Sequence, residues 1–402
     1  MKKQFQTWIG LAVLAYGTTA AAWAEGNSRI FREGGDWIQE TTGSVPATRV
    51  IKVKSHVGTI NLTGGSVANI SYTMRWRCSG SASEEEARRV FESLRFNVAR
   101  SGDLTYFSSE GEHHRWRRGS AELRINAPRE VELIRASTEA GNIQATHLTS
   151  RVEAESGAGN IQLDDVKNSI AVQTGGGNVT VGTVSGDVRM QTGGGDIRVN
   201  SAGGKVSAET GGGNVYVQTA KGDVVIDTGA GVIHVEKVGG NLRATTGGNN
   251  IDVGDVAGTI ELETGGGNIR MNGGSGYVKA STGGGSIQCY KIGKGLRVET
   301  GAGGITAEIQ AQRGQFVDSK IETGAGDIVV YIPSDLAVTI RAGIDSGSGN
   351  AIRSDFPGLR VTAEGGEFGP RELYAEGNLN GGGPLLKLHT STGKIQVLQL
   401  KR

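Results

Sequence analysis

Through the middle of the chain, apolar residues come in pairs two positions apart, separated by short polar turns. One unit gives Val179 and Val181, then Val184, then Val188 and Met190; the next gives Ile197, Val199, Ala202, Val206 and Ala208. A spacing of two is the strand period, and no helical 3.6-residue period runs through these units. Thr180, Arg198, Tyr216, His234, Asp252 and Arg270 occupy one intervening position and are predicted to face outward. Each unit therefore reads as two short strands, each with one inward and one outward face.

The units keep a fixed length. Matching hydroxyl residues stand at Thr138, Ser156, Thr174, Thr192, Thr210, Thr228, Thr246, Thr264, Thr282 and Thr300, nine consecutive steps of 18. A nine-residue half-repeat is visible where Gly177-Asn178-Val179 is echoed by Gly186-Asp187-Val188. Burying one such apolar side chain stabilises by roughly 1.5–3 kcal/mol, whereas ordering each residue's backbone costs about 1–2 kcal/mol. A single coil does not fold alone. Stacking at about 4.7–4.9 Å per strand satisfies the backbone in a parallel ladder and merges the apolar columns, as in other repeat architectures. The prediction is an all-β parallel solenoid of 18-residue coils, each made of two nonapeptide half-turns.

Glycine and proline fit that plan. Triplets such as Gly175 to Gly177 and Gly193 to Gly195 fall where the chain reverses, and are expected to supply positive φ. All six prolines (Pro46, Pro128, Pro333, Pro357, Pro370 and Pro384) lie outside residues 129–332, as a ladder that uses every N–H requires.

Residues 1–24 read as a secretory signal, with Lys2 and Lys3, an apolar run from Trp8 to Tyr16, and Ala22-Trp23-Ala24 before Glu25. Polar, Gly-rich residues 25–44 are predicted to be a flexible leader. Residues 45–133 are predicted to be a small α+β cap, with a helix opening at Ser83-Glu84-Glu85-Glu86 and a degenerate first coil at Val50 to Leu62. Residues 134–402 form the solenoid, regular to about 303. Beyond that, Thr300, Thr323 and Ser346 are spaced by 23, which places inserted loops at 310–318 and 332–336, and Leu386 to Leu398 restores the motif as a closing coil.

Composition adds bounds. Gly is 67 of 402 residues without a Gly-X-Y period, which excludes collagen, and the regular apolar columns exclude disorder. A net charge of +1 implies neither a strongly acidic nor a strongly basic partner, and nucleic acid is not expected. No stretch after residue 24 reaches the about 18 apolar residues of a membrane helix. Cys289 falls at the inward position equivalent to Val181 and Cys78 on the apolar face of its strand, so two buried free thiols are expected in place of a disulfide.

The recurring Thr-Gly-(Gly/Ala)-Gly-(Asn/Asp)-(Ile/Val), the signal peptide and the closing Gly382-Gly383-Pro384-Leu385-Leu386-Lys387-Leu388-His389-Thr390-Ser391-Thr392-Gly393-Lys394-Ile395 resemble the bacterial putative-adhesin family of β-solenoids, a domain of unknown function. The resemblance covers roughly residues 134–402 and implies an envelope-associated binding role without assigned catalytic residues.

Candidate chemistry is sparse. The Asn and Asp column (Asn142, Asn160, Asn178, Asp196, Asn214, Asn250, Asn268, Asp327) does not fit a calcium array, because Val179, Ile197 and Val215 take the places where carboxylates would be needed, and it reads as a turn-capping ladder. The Thr column reads as turn hydroxyls bonded to backbone, not as an ice-binding face. His113, His114, Arg115, Trp116, Arg117 and Arg118 form one dense basic and aromatic cluster, a candidate site for an anionic glycan, a lipid headgroup or nucleic acid; the competing and favoured reading is a solvated hairpin loop. No nucleophile triad, phosphate loop or zinc helix is present, and neither a cofactor nor a metal is expected. The sequence thus predicts an exported, non-catalytic adhesin or envelope scaffold, with a cell-surface glycan or envelope protein as partner, located in the periplasm, at the surface or outside the cell. The alternatives are a carbohydrate-active enzyme on a β-helix and an envelope-stress accessory protein.

Overall fold

Each regular coil places one strand in each of two facing sheets, here called A and B. A computed structural model of the chain describes residues 22–23, 26–80, 83–111, 119–129, 131–312, 314–348, 350–364 and 371–401, among which sheet A holds 19 strands and sheet B 18. In one coil, Val188–Thr192 lies in sheet A and Ile197–Ala202 in sheet B. Both pair in parallel with their copies 18 residues on, Val188 with Val206 and Ile197 with Val215. Val179, Ile197 and Val215 form one interior file, each at 0% exposure. A single core of Val, Ile, Leu and Ala runs between the sheets, and both cysteines are free and buried in it. Burial pushes the Cys289 thiol up to about 12.

The polar turns are tied from coil to coil. The buried Thr192 hydroxyl donates to the Gly177 carbonyl at 2.8 Å and accepts the Gly195 N–H at 3.2 Å, and the same pair of bonds recurs at Thr174, Thr210 and Thr282. In the Asx column, Asn178 Oδ1 accepts the N–H of Asp196 and Asp196 Oδ1 that of Asn214, at 2.8 and 2.9 Å. A second ladder at the other turn links Asp187 to Lys205 and Asp223 to Asn241. These side-chain oxygens satisfy turn N–H groups that the strand ladders leave over.

The glycine triplets act differently from expectation. No glycine of the triplets at 175–177, 193–195, 211–213, 265–267 or 283–285 has positive φ. A Cβ on Gly175 would lie 2.1 Å from the Gly157 carbonyl oxygen, and one on Gly177 would lie 2.1 Å from that of Gly159, whereas Gly176 has nothing within 4 Å. At the first and third positions of these triplets the backbone of the preceding coil sits where a side chain would go, although Glu139 takes the first position in one coil and Asn249 the third in another. The middle position is open, and Ala158, Ala230, Ala302 and Ala325 fill it in other coils.

At the N-terminal end the chain visits the stack out of order. Val50–Val57 and Thr59–Gly65 form a coil that pairs in parallel with Leu133–Ala140 and Ile143–Leu148. Beneath it lies a further level, Leu104–Gly111 in sheet A and Gly119–Pro128 in sheet B, again parallel. Half of the predicted cap is therefore solenoid, and the coil at residues 50–65 is not the first. The closing layer proper comprises the helix Glu84–Phe91, the strands Asn69–Cys78 and Leu94–Ser101, and a hairpin. That hairpin corrects the leader: Asn27–Glu33 pairs with Asp36–Pro46, which on its other edge pairs with Asn69–Cys78. Gly34 and Gly35, at φ +58° and +93°, make the turn, and Ile38 is fully buried. Ser83 caps the helix by accepting the Glu86 N–H at 3.3 Å. Tyr72, Phe96 and Phe107 pack at 5.5–6.5 Å between ring centres and plug this end.

The C-terminal end is also permuted. Leu385–Thr392 pairs on one side with Ser319–Ala325 and on the other with Val338–Gly347, and Ile395–Gln399 lies between Ile328–Ile332 and Ile352–Ser354. The last coil in sequence is thus wedged between two earlier ones. Thr390 stands in register with Thr323, and Ile344, not Ser346, is opposite it on the outer level. An antiparallel pair, Arg360–Glu364 and Arg371–Leu379, covers the outer edge of sheet A.

Candidate functional site

The outward faces of the stack are ordered by column. On sheet A one file holds Arg135, Glu153, Arg189, Arg243, Lys279, Arg297 and Lys320, while the file two residues on holds Glu155, Glu209, Asp227, Glu263, Glu299 and Glu322. Many of these charges bridge neighbouring coils, as in Arg135–Glu153 at 2.6 Å and Lys279–Glu261 at 2.8 Å. Glu261 is held below the usual carboxylate range first by its hydrogen bond from Lys279, with Arg243 also close. On sheet B, Arg198 stacks over Tyr216 at 4.9 Å, and Tyr216 is 6.4 Å from His234.

Two concavities stand out on these faces. The smaller, about 320 Å³, is a dip on sheet A where Ala171 replaces the long side chains above and below it, with Arg189 and Gln173 at its side. Arg189 has no ion-pair partner among the described residues. The larger, about 940 Å³, opens where the regular coils end. Its walls are the two inserted loops, carrying Gln310 and Gln312 on one side and Ser334 and Asp335 on the other, with Glu308, Gln399 and Lys401 between.

Both walls are anchored. In the first, Phe316 is buried in the core, Gln315 donates its N–H to the Gln312 carbonyl at 3.0 Å, and Val317 donates to Lys294. In the second, the Asn380 side-chain amide donates to the carbonyls of Ser334 and Leu336 at 2.9 and 2.8 Å. Leu400 N–H donates to Ile332 at 2.8 Å and holds the end of the chain alongside. The lengthened spacing after Thr300 located both loops in the sequence. It did not place residues 399–401 beside them, because that follows from the wedged last coil.

One cluster superficially resembles catalytic machinery. His389 Nε2 lies 2.9 Å from Asp345 Oδ1, and the Ser391 hydroxyl also bonds Asp345, so that carboxyl is held low, first by His389. The serine is bonded to the carboxylate and not to the imidazole, so the pair of nucleophile and base that activates a hydroxyl is not assembled there. Among the described residues, no group of three His, Cys, Asp or Glu side chains is placed to hold a metal ion. No helix among them is long and apolar enough to cross a membrane. The candidate residues His113, His114, Arg115, Trp116, Arg117 and Arg118 lie outside the described residues.

Residues 91–221 match the family model Toastrack DUF4097. The matched stretch, about a third of the chain, runs from the end of the helix through the lowest level and into the regular coils. It begins earlier than the region whose repeats carried the sequence resemblance, since the strands of the predicted cap are coils. The chain is similar to the solved structure of a putative cell adhesion protein from Clostridium sporogenes ATCC 15579, at 11% identity and TM-score 0.20, covering 94% of this chain and 100% of that one. It is also similar to a putative adhesin from Bacteroides fragilis NCTC 9343, at 14% identity and TM-score 0.18, covering 72% of this chain and 96% of that one. No curated protein matches the chain.

Proposed function

We propose that this protein is an exported, non-catalytic β-solenoid that acts as an adhesin or cell-envelope binding and scaffold protein, with the groove between its inserted loops as the contact. One observation carries this reading: a stack uniform over its regular coils is interrupted by a groove whose two walls are separately anchored. A rigid ladder that holds loops in place is how many folds present a binding surface. The signal-like residues 1–24 support export, and the sequence resemblance to envelope-associated β-solenoids supports the location.

The test uses protein beginning at residue 25, fluorescently labelled and incubated with intact bacterial cells and with isolated envelope polysaccharide. Saturable binding that leaves the polysaccharide at its original length is expected. Release of new reducing ends would favour the carbohydrate-active enzyme. Capture of an envelope protein, lost when Trp116 is replaced by Ala, would favour the stress accessory.

A further inference from the structure

We propose that this protein pairs with a second copy of itself by exchanging residues 385–399, so that the last coil of each copy fills the slot of the other. The slot is a consequence of chain order. Both levels that flank it, at 319–332 and 338–354, come before the last coil in sequence, yet each forms ladder bonds to that coil: Ser319–Ala325 and Ile328–Ile332 on one side, Val338–Gly347 and Ile352–Ser354 on the other. Until residues 385–399 arrive, these levels present open strand edges, and open edges recruit other chains. The slot accepts a coil of one register. Leu388 is buried between Ile321 and Ala342, and Ile395 between Ile328 and Ile352. The Thr390 hydroxyl donates to the Gly326 carbonyl at 3.0 Å, Asp327 Oδ1 accepts the Lys394 N–H at 2.8 Å, and Asp355 Oδ2 accepts that of Gln399 at 3.0 Å. Every one of these partners lies outside the last coil, so the same residues of a second copy make the same bonds.

The tether to this coil is built as a hinge. Arg371–Leu379 pairs with the outer side of Val338–Gly347 and Leu385–Thr392 with its inner side, so residues 380–384, Asn-Gly-Gly-Gly-Pro, carry the chain across the start of that strand. The reversal takes φ of +49°, +88° and +80° at Asn380, Gly381 and Gly382, a region that a side-chain-bearing residue enters at a cost. It is also tight, since a Cβ on Gly383 would lie 2.5 Å from the Ala337 carbonyl oxygen. Opened into an extended chain, the same five residues span about 17 Å, which releases the reversal and passes the coil to a copy alongside. A short, constrained hinge before a terminal element is the setting in which exchange is favoured. Because self-insertion and exchange make the same contacts in the slot, the tether and the protein concentration decide between them.

The experiment places a reporter across the slot. Lys320 and Lys387 are neighbours in register on sheet A, at the strand spacing of about 4.7–4.9 Å that a disulfide can bridge. Lys320→Cys and Lys387→Cys are made in separate chains beginning at residue 25, unfolded together in urea, refolded by dilution and then oxidised; the two native cysteines are buried. Exchange sets residue 320 of one chain beside residue 387 of the other, so a covalent heterodimer is expected, well above the background that either variant gives alone. Its yield rises with protein concentration from about 1 to about 100 µM, since exchange competes with a tethered segment. The double variant Lys320→Cys/Lys387→Cys, oxidised first as a dilute monomer, locks the coil in its own slot and refolds as a monomer at every concentration. Deleting Gly381 and Gly382 removes the reversal and closes self-insertion, so the folded protein is then a dimer by light scattering even when dilute. Heterodimer at the single-variant background, dimer from the locked double variant, or a folded monomer after the deletion overturns the proposal.

Discussion

Gly177 and Gly176 are neighbours with opposite tolerances. Gly177→Ala forces a methyl group onto the Gly159 carbonyl of the adjoining coil, 2.1 Å away, whereas Gly176→Ala meets nothing. The first change is expected to destabilise by about 1–3 kcal/mol, the usual cost of overpacking. The second should be neutral or slightly stabilising, because it restricts only the unfolded chain. Urea denaturation of the two variants measures the difference. The position of each glycine was legible in the sequence, but its reason was not: close approach between coils depends on neighbours 18 residues away, and the composition of a turn looks the same whether φ is positive or negative. The alanines at 158, 230, 302 and 325 were the available clue, since they mark the middle place as open.

Charged residues add a pH dependence at the same scale. Asp223 is held below the ordinary carboxylate range, first by the Asn241 N–H, Asp165 first by Lys167, Glu261 first by Lys279, and Asp345 first by His389. A carboxyl whose folded-state value is lowered contributes stability above its unfolded value, and that contribution is lost as pH falls through the folded one. The melting temperature is therefore expected to be flat near neutrality and to decline below about pH 4, the unfolded carboxylate range. Each group is solvent-exposed, so salt should shrink the decline. A melting temperature that rises on acidification would contradict the assignment.

At the scale of elements, the notable feature is that chain order and stacking order differ at both ends. Strand period and coil length were legible because they are local: Ile197 and Val199 mark an inward face whatever lies above them. Which coil lies above is a long-range pairing: residues 50–65 and 385–399 carry a form of the motif that periodicity could not rank, and residues 104–128 lack its Gly turn altogether. The leader was misread for a local reason. Glu33-Gly34-Gly35-Asp36 between Ile30-Phe31 and Trp37-Ile38 is a two-residue hairpin signature, obscured by the polar residues around it. The wedged last coil has a measurable consequence. Truncation after Asn380 leaves the edges of Ser319–Ala325 and Val338–Gly347 unpaired where Leu385–Thr392 had joined them. Amide protection in hydrogen exchange should collapse over residues 319–344 and persist over the central coils at 188–300, with aggregation through the opened edges. Uniform protection across the truncated chain would show that the wedge does not matter.

For the whole molecule, one continuous core and two ladders make a stiff body whose regular faces are largely self-satisfied, through bridges such as Arg243–Glu261 and Arg297–Glu299. The groove interrupts those faces where the regular coils end, and it inherits its rigidity from the stack. Its two loops were foreseeable from spacing alone, while its third side depended on the return of the chain end to a level between two earlier coils. On the function proposed above, this body presents a binding groove and performs no reaction. The most direct measurement incubates the protein with envelope polysaccharide and follows bound material and polysaccharide length together, for the unmodified chain and for Asp335→Ala. Saturable binding, weakened about tenfold by Asp335→Ala, with the polysaccharide recovered at full length, is the predicted result; shortened polysaccharide, or binding that ignores Asp335, would contradict it.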